Sequence, residues 1–311
     1  MRKCVGVDLG GTTVKMGILG EDGTVIEKWE IPTCKKENGR YILSNIASSV
    51  KEHLSANRIR EDEFAGIGMG VPGPVRSDGY VEVCVNLGWK NINPAKELSL
   101  LMGGVPVKAG NDANVAALGE QWMGSAKGHD TLMFYTLGTG VGGGLIIDGK
   151  IVPGSKGMGA EIGHVTVNPQ ETDSCNCGNK GCLEQYASAT GIVKEMKRTL
   201  EREKGKCMLR GRRFSCKDVV DAAKSGDVLA EKTLQRCMDY LALSMSYVSY
   251  IADPEVFVIG GGVSKAGDYL VHMIEKRYSD LTPLCSTKAE IFIAGLQNDA
   301  GMYGAAKLVL Q

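Results

Sequence analysis

The feature that most constrains the fold of this chain is a group of metal-binding residue types near its middle. One histidine, His164, precedes three closely spaced cysteines, Cys175, Cys177 and Cys182. One imidazole nitrogen and three thiolates make a complete tetrahedral ligand set for Zn²⁺, and a site without an open position is normally structural. We therefore expect a structural zinc ion that shapes the loop between His164 and Cys182.

Two glycines support this interpretation of the cysteine cluster. Gly178 and Gly181 lie between the cysteines, and glycine permits the sharp bends that aim neighbouring sulfurs at one point. Three ordinary buried cysteines beside an unrelated histidine are the alternative, which leaves these glycines without a role. The other seven of the ten cysteines are scattered singly, which suits reduced thiols better than a disulfide framework.

Length and charge limit the classes of protein to which the chain can belong. Its 311 residues favour two domains, which we place at residues 1–119 and 120–311. Lys plus Arg and Asp plus Glu both number 36, so no excess of positive charge favours nucleic acid or an anionic membrane as a partner. The start of the chain lacks a signal-peptide hydrophobic region and no later segment reaches transmembrane length. We expect a cytoplasmic protein that acts on a small molecule.

Hydrophobic patterns predict a mixed α/β fold. Strands are predicted at residues 5–8, 14–19, 24–31, 65–70, 105–109, 131–137, 142–147 and 255–259, the first three as an antiparallel meander. Helices are predicted at residues 38–57, 183–202, 217–224, 228–252 and 265–278, with a further helix starting at Asn93-Pro94.

Three glycine clusters are candidates for contacts with a nucleotide. The first follows Asp8 and comprises Gly10, Gly11, Thr12 and Thr13, with Lys15 two residues further on. Small residues allow close approach to a phosphate, hydroxyls donate to it, and a carboxylate can hold Mg²⁺ directly or through water. A plain hairpin turn is the alternative for so short a motif. We interpret the cluster as a phosphate clamp.

The other two clusters lie in the second predicted domain. Gly138, Thr139 and Gly140 open a run of glycines that weakens a strand and therefore suggests a ligand close to the backbone. The segment 260–262, formed by Gly260, Gly261 and Gly262, connects a strand to a helix and could hold an adenosine group. The first and second clusters form a weak internal repeat, which would place two hairpins across a ligand cleft.

Asn111 and Asp112 follow a predicted strand at the start of a helix. One interpretation is that both residues only cap the helix. The other makes Asp112 a general base toward a substrate hydroxyl, as in phosphoryl transfer. The presence of Glu161, His164 and Glu184 elsewhere in the chain favours the second interpretation, because planar polar side chains of this kind bind sugars.

These motifs, taken together and in order, resemble those of the ROK family (repressor, open reading frame, kinase) of actin-like sugar kinases. The resemblance also includes Gly70-Val71-Pro72-Gly73 and spans essentially the whole chain. It implies an actin-like (ribonuclease H-like) ATPase fold with two lobes, a central ligand cleft and a final helix that packs back on the first lobe.

The resemblance also implies roles for the individual residues. Asp112 would be the catalytic base, and the sugar would be bound by Gly73, Asn111, Asp112, Glu161, His164 and Glu184. His164 would give one ring nitrogen to zinc and the other to the sugar. ATP would be bound by the three glycine clusters, with Asp8 and Lys15 in the first.

The implied activity is ATP-dependent phosphorylation of glucose at its C6 hydroxyl, with Mg²⁺ and a structural Zn²⁺. Glu184-Gln185-Tyr186-Ala187-Ser188-Ala189 looks like the family's glucokinase version of this segment. A kinase for another hexose or amino sugar, such as N-acetylmannosamine, fructose or mannose, is the alternative. A regulator that only binds sugar is a further one, although a first strand near residue 3 leaves no room for a helix-turn-helix domain. Family members are commonly dimers or tetramers, so we expect a homodimer or homotetramer.

Overall fold

The computed structural model describes all 311 residues and contains both strands and helices throughout the chain. The strands are β1 (Lys3–Leu9), β2 (Thr13–Gly20), β3 (Val25–Pro32), β4 (Phe64–Val71), β5 (Val81–Cys84), β6 (Trp89–Ile92), β7 (Val107–Asn111), β8 (Leu132–Leu137), β9 (Val141–Ile147), β10 (Lys150–Ile151), β11 (Val256–Gly260) and β12 (Glu290–Ile293). The helices are α1 (Lys36–Gly39), α2 (Ile42–Ala56), α3 (Pro94–Leu101), α4 (Asp112–Met123), α5 (Glu184–Ala187), α6 (Ala189–Arg202), α7 (Cys216–Lys224), α8 (Val228–Ala252), α9 (Asp268–Leu281) and α10 (Ala300–Leu310).

The first sheet has the strand order β3-β2-β1-β4-β7. β1, β2 and β3 form the predicted antiparallel meander, and β4 and β7 continue the sheet parallel to β1. Helix α2 covers it with Ile42, Ile46 and Val50, all buried in one core with β1, β2 and β4. Their spacing of four residues places them on one face of the helix, as predicted.

The second sheet has the strand order β10-β9-β8-β11-β12. β11 is parallel to both β8 and β12, and its five residues are fully buried, as expected for a strand covered on both faces. Helices α6, α7, α8 and α9 lie between β10 and β12 in the sequence. Strand β12 and the short hairpin of β5 and β6 were not predicted, because strands of four residues carry little periodicity.

Three predicted helices have clearly different boundaries in the structure. The helix predicted at residues 265–278 is α9, which runs from Asp268 to Leu281. The predicted helix at residues 38–57 begins only at Ile42, because Glu37 and Asn38 have positive φ angles of 50° and 56°. The predicted helix at residues 183–202 is interrupted at Ser188, which has extended backbone and accepts a hydrogen bond from the backbone N–H of Gly191. Ser188 thereby caps α6, a local preference that competes with helix continuation.

The chain divides into two units. Unit 1 comprises Met1–Asp130, Gly144–Ala160 and Gly295–Gln311, and unit 2 comprises Thr131–Gly143 and Glu161–Ala294. The boundary predicted after Gly119 falls inside α4, which continues to Met123. No helix is both long and apolar enough to cross a membrane.

The last helix of the chain, α10, packs within unit 1 against β1 and β4. A Cβ atom at Gly6 or Gly68 would collide with the α10 backbone, so these glycines permit the close approach. Glu120 of α4 is fully buried and accepts hydrogen bonds from the backbone N–H groups of Gly295 and Leu296 at 2.9 and 2.8 Å. These bonds hold the segment that leads into α10.

Candidate active site

The carboxyl ends of β1, β4 and β7 lie at one edge of the first sheet. The register pairs Asp8 with Gly70 and Gly70 with Gly110. Asp8 and the Asn111-Asp112 pair are therefore two strands apart at the same edge, or about 10 Å at the usual strand spacing. The parallel topology thus brings together the first glycine cluster and the predicted base, which are separated by about a hundred residues in the sequence.

The first glycine cluster forms the tight turn between β1 and β2. The backbone N–H of Gly10 donates to the carbonyl of Thr13 at 3.1 Å, and a Cβ atom at Gly10 would lie 2.8 Å from that oxygen. Thr12, at the tip, is exposed. A glycine is therefore required at position 10 by the geometry of the turn itself.

Residues beyond the end of β3 also contact this turn, and the sequence motif did not include them. Thr33 donates from Oγ1 to the carbonyl of Gly10 at 2.7 Å and from its backbone N–H to Thr12 at 2.8 Å. The exposed Lys35 places its Nζ atom 3.9 Å from the Cβ position of Gly11. The predicted meander could have identified Thr33 as a neighbour of this turn, because pairing of β2 with β3 places residue 33 beside it.

The carboxyl group of Asp8 has a cation as its cross-strand neighbour. Asp8 pairs with Lys15 in the antiparallel register of β1 and β2, and Lys15 Nζ donates to the carbonyl of Asn298 at 3.4 Å. Burial raises the pKa of Asp8 above its ordinary value, and the charge of Lys15 partly opposes that rise. A divalent cation next to the carboxylate would favour the ionised form in the same way.

Asn111 forms hydrogen bonds with two other predicted site residues, Gly73 and Asp112. Its Nδ2 atom donates to the carbonyl of Gly73 and to Oδ1 of Asp112, both at 3.1 Å. Its Oδ1 atom accepts the backbone N–H of Asn114 at 3.0 Å and so caps α4. The capping role is thus confirmed for Asn111, while the same side chain also orients the carboxylate of Asp112.

In unit 2, Glu184 contacts the second glycine cluster. Its Oε2 atom accepts the backbone N–H of Val141 at 3.0 Å, and a Cβ atom at Gly140 would collide with that oxygen. A Cβ atom at Gly163 would likewise collide with the carbonyl of Val141. The turn between β8 and β9 is therefore the point at which the segments containing Glu161, His164 and Glu184 meet.

The third glycine cluster lies beside the end of β8. Gly260 of β11 pairs with Thr136, and Gly261 has a φ angle of 85°. A Cβ atom at Gly261 would lie 2.5 Å from the carbonyl of Leu137. Residues 138–140 and 260–262 thus occupy the same edge of the second sheet.

The predicted metal ligands converge within unit 2. One ligand atom from each of His164, Cys175, Cys177 and Cys182 lies within 4.8 Å of the others. Sγ of Cys177 and Sγ of Cys182 are 3.7 Å apart, and tetrahedral Zn–S bonds predict about 3.8 Å. The Nδ1 atom of His164 faces Cys175 Sγ at 3.9 Å. Both the donor types and the spacing fit Zn²⁺.

The backbone of this loop has the predicted bends. Gly178 and Gly181 have φ angles of 89° and 72°, in the left-handed region that favours glycine. A Cβ atom at Gly181 would also collide with the carbonyl of Asn168. The glycines are therefore required by the path of the loop.

Burial shifts the pKa values of two groups in and beside the candidate metal site, Cys182 and Glu161. Burial raises the pKa of Cys182 to about 12, so the thiol is protonated until a cation displaces the proton. Burial also raises the pKa of Glu161, an effect opposed by His164 and reinforced by the charge of Glu184. A bound cation would favour the ionised form of both groups.

An ion-pair network that the sequence did not reveal holds the loop between His164 and Cys182 against α6. The buried Glu171 accepts two hydrogen bonds from Arg198, at 2.7 and 2.9 Å, and one from the Tyr186 hydroxyl at 2.6 Å. Arg198 also pairs with Glu195 and Asp173. Glu171 and Arg198 are 27 residues apart, and no sequence pattern indicates that they interact. Only the tertiary structure therefore identifies this network.

Replacing Glu171 by glutamine is expected to lower the free energy of unfolding by about 2 kcal/mol at neutral pH, because the charge-assisted bonds from Arg198 are weakened. Arg198 holds the pKa of Glu171 well below its ordinary value. The stabilisation that the charged Glu171 contributes is therefore fully present above the unfolded-state pKa of about 4.3. It is lost progressively as the pH falls from there toward the lower folded-state pKa. The measurement is the thermal midpoint of both proteins from pH 7 to pH 3. If the difference in thermal midpoint between the two proteins does not shrink as the pH falls, the ion pair is not its cause. Glu201→Gln, on the exposed side of α6, is the control.

Comparisons with known proteins identify the family of this chain. The model of the ROK family matches residues 4–311. A glucokinase from Halalkalibacterium halodurans is 41% identical over 319 aligned positions, which cover 99% of this chain and 94% of that protein. The solved ROK hexokinase from Thermus thermophilus has a TM-score of 0.83 at 28% identity, covering 98% of this chain and 96% of that one.

A second solved structure is a ROK family glucokinase from Streptomyces griseus in complex with glucose and AMPPNP. It has a TM-score of 0.76 at 30% identity and covers 98% of each chain. This chain belongs to the ROK family and has its actin-like fold.

Proposed function

We propose that this protein transfers the γ-phosphoryl group of ATP to the C6 hydroxyl of glucose, giving glucose 6-phosphate and ADP. The observation that carries the proposal is the similarity of nearly the whole chain to glucokinases, one of which was solved with glucose and AMPPNP. The Asn111-Asp112 pair at the carboxyl edge of the first sheet supplies the group that the reaction requires.

Asp112 is the general base of the proposed reaction. Its carboxylate can accept the proton of the C6 hydroxyl as the hydroxyl oxygen bonds to phosphorus. The hydrogen bond from Asn111 Nδ2 and the bond from the backbone N–H of Ala113, at 3.1 and 2.8 Å, both reach Oδ1. These two bonds fix the orientation of the carboxylate, which is the positioning that phosphoryl transfer depends on.

The other sugar contacts come from Gly73, Asn111, Glu161, His164 and Glu184 in this proposal. Carboxylate, amide and imidazole groups can each accept or donate to a sugar hydroxyl. Glu184 is held by Val141 and Asn111 by Asn114, so both side chains are fixed before the sugar binds. Fixed polar groups select one hydroxyl pattern more strongly than mobile ones.

The nucleotide is proposed to contact Gly10, Gly11, Thr12 and Thr13 in unit 1 and the segments 138–140 and 260–262 in unit 2. Asp8 is the oxygen ligand suited to Mg²⁺, directly or through water. When bound with ATP, Mg²⁺ neutralises charge on the transferring phosphoryl group. Thr12 is exposed at the tip of the turn, where its hydroxyl can donate to a phosphate oxygen.

The proposed zinc ion has a structural role. His164, Cys175, Cys177 and Cys182 would hold it, and the Nδ1 atom of His164 is the nitrogen that faces this cluster. With Nδ1 on the metal, the imidazole has a fixed tautomer and can present Nε2 to a sugar hydroxyl. The chain uses the site to position His164 and the neighbouring Glu161.

The test of the proposed function is ADP release by the purified protein with Mg²⁺-ATP and a panel of sugars. The panel contains glucose, mannose, fructose, N-acetylglucosamine, N-acetylmannosamine and allose, with 6-deoxyglucose as the control that lacks the acceptor hydroxyl. We expect the highest kcat/KM for glucose, no release above background with 6-deoxyglucose, and glucose 6-phosphate as the product.

Other outcomes of the panel would change the assignment. Turnover highest on another sugar would identify a kinase for that hexose or amino sugar. No turnover on any sugar, by folded protein that binds glucose, would point to a sugar-binding regulator or to a donor other than ATP.

A further inference from the structure

Gly301 lies in the first turn of α10, where the protein has a glycine although alanine is more favourable in a helix. A Cβ atom at this position would lie 2.7 Å from Cγ of Asp8 and 2.9 Å from each of its carboxylate oxygens. Its three nearest heavy atoms would thus all belong to one carboxyl group. The Asp8 carboxylate occupies the space that any side chain at position 301 would fill.

The other glycine near the start of α10, Gly304, has a different environment. A Cβ atom there would collide with the carbonyl of Val115 in α4. Gly304 therefore permits the packing of two helices, whereas Gly301 permits the position of one functional side chain. The pair supplies a matched comparison within one helix.

The Asp8 carboxylate is confined from a second side as well. Lys15 is its cross-strand partner, and the Nζ atom of Lys15 donates to the carbonyl of Asn298, just before α10. The carboxylate thus lies between β2 and the first turn of α10. It has little freedom to change rotamer without contacting one of them.

We propose that Gly301 is the positioning residue for Asp8 and sets the location from which the carboxylate holds the Mg²⁺ of the nucleotide. The inference rests on the proposed function, in which Asp8 serves Mg²⁺-ATP. Ordinary contact of a Cβ atom begins at 3.4 Å, so a methyl group at position 301 displaces the carboxylate by about half an ångström or more. Mg²⁺ demands near-ideal octahedral geometry, and a ligand displaced that far binds it poorly.

The experiment compares Gly301→Ala and Gly304→Ala with the wild type, using Mn²⁺-ADP as the probe. The affinity for Mn²⁺-ADP is measured by electron paramagnetic resonance, and thermal midpoint and zinc content are measured in parallel. For Gly301→Ala we expect at least tenfold weaker binding of Mn²⁺-ADP, unchanged binding of metal-free ADP, unchanged zinc content and a smaller loss of thermal stability than for Gly304→Ala, whose Cβ atom would collide with backbone rather than with a side chain. Gly304→Ala should lower the thermal midpoint.

A double-mutant comparison separates positioning from general damage to α10. In an Asp8→Asn background, Gly301→Ala should have no further effect on the affinity for Mn²⁺-ADP. An equal loss in both backgrounds, or wild-type affinity in Gly301→Ala, would overturn the inference while leaving the proposed function intact. A wild-type protein that does not bind Mn²⁺-ADP would overturn the proposed function and this inference with it.

Discussion

Asp112→Asn is expected to lower turnover on glucose by roughly 10²–10⁴, the usual contribution of a positioned general base. The amide cannot take the proton of the attacking hydroxyl, although it has nearly the same shape. Its oxygen can still accept the N–H groups of Asn111 and Ala113 that reach Oδ1 in the wild type. The start of α4 should therefore be preserved. The measurement is kcat by ADP release at saturating glucose and ATP.

Two controls accompany this variant. Its thermal midpoint and its affinity for glucose should stay close to those of the wild type, which excludes misfolding as the cause. Asp78→Asn, in an exposed part of unit 1, removes a carboxylate elsewhere and should leave turnover unchanged. If Asp112→Asn keeps near-normal turnover, Asp112 is not the base.

Cys177→Ser is expected to reduce the zinc content of the purified protein and to raise the KM for glucose at least tenfold. Serine lacks the thiolate that a four-ligand zinc site requires, and the loss leaves three ligands. Under the proposal, His164 would then lose the metal that fixes its ring, and the neighbouring Glu161 would become less well placed, so we expect sugar binding to suffer more than the chemical step. Metal analysis and steady-state kinetics on glucose measure the two effects.

Chelation supplies an independent version of the same experiment. Removing zinc from the wild type should raise the KM for glucose, and adding zinc back should restore it, whereas Cys177→Ser should not recover. Cys285→Ser alters a cysteine outside the cluster and should leave zinc content and KM unchanged. Full zinc content in Cys177→Ser would show that Cys177 is not a ligand.

The parts of the site that the sequence predicted are those encoded in short contiguous motifs. The four candidate zinc ligands lie between residues 164 and 182, and the geometry of one loop brings their ligand atoms within 4.8 Å of one another. The turn at Gly10 was recognisable because a tight hairpin turn needs glycine there. In both cases the physical requirement acts between near neighbours in the chain, so spacing and residue type are sufficient to indicate it.

Other features depend on contacts between distant segments. The return of α10 to unit 1 needs the buried carboxylate of Glu120 to accept two backbone N–H groups. The bond between Glu171 and Arg198 joins a loop to a helix. The break at Ser188 was missed because apolar periodicity continues across it, while the capping bond competes locally with the helix.

By itself the sequence determined the class of fold, and it predicted the candidate ligand set of a metal site and the candidate residues of a phosphoryl-transfer centre. These follow from local backbone geometry and from side-chain chemistry, which each residue carries with it. Only the tertiary structure decided that Asp8 and Asp112 share one sheet edge and that Gly301 makes room for the Asp8 carboxylate. The register of parallel strands and the packing of a distant helix set those positions, and neither is encoded in any single segment of the chain.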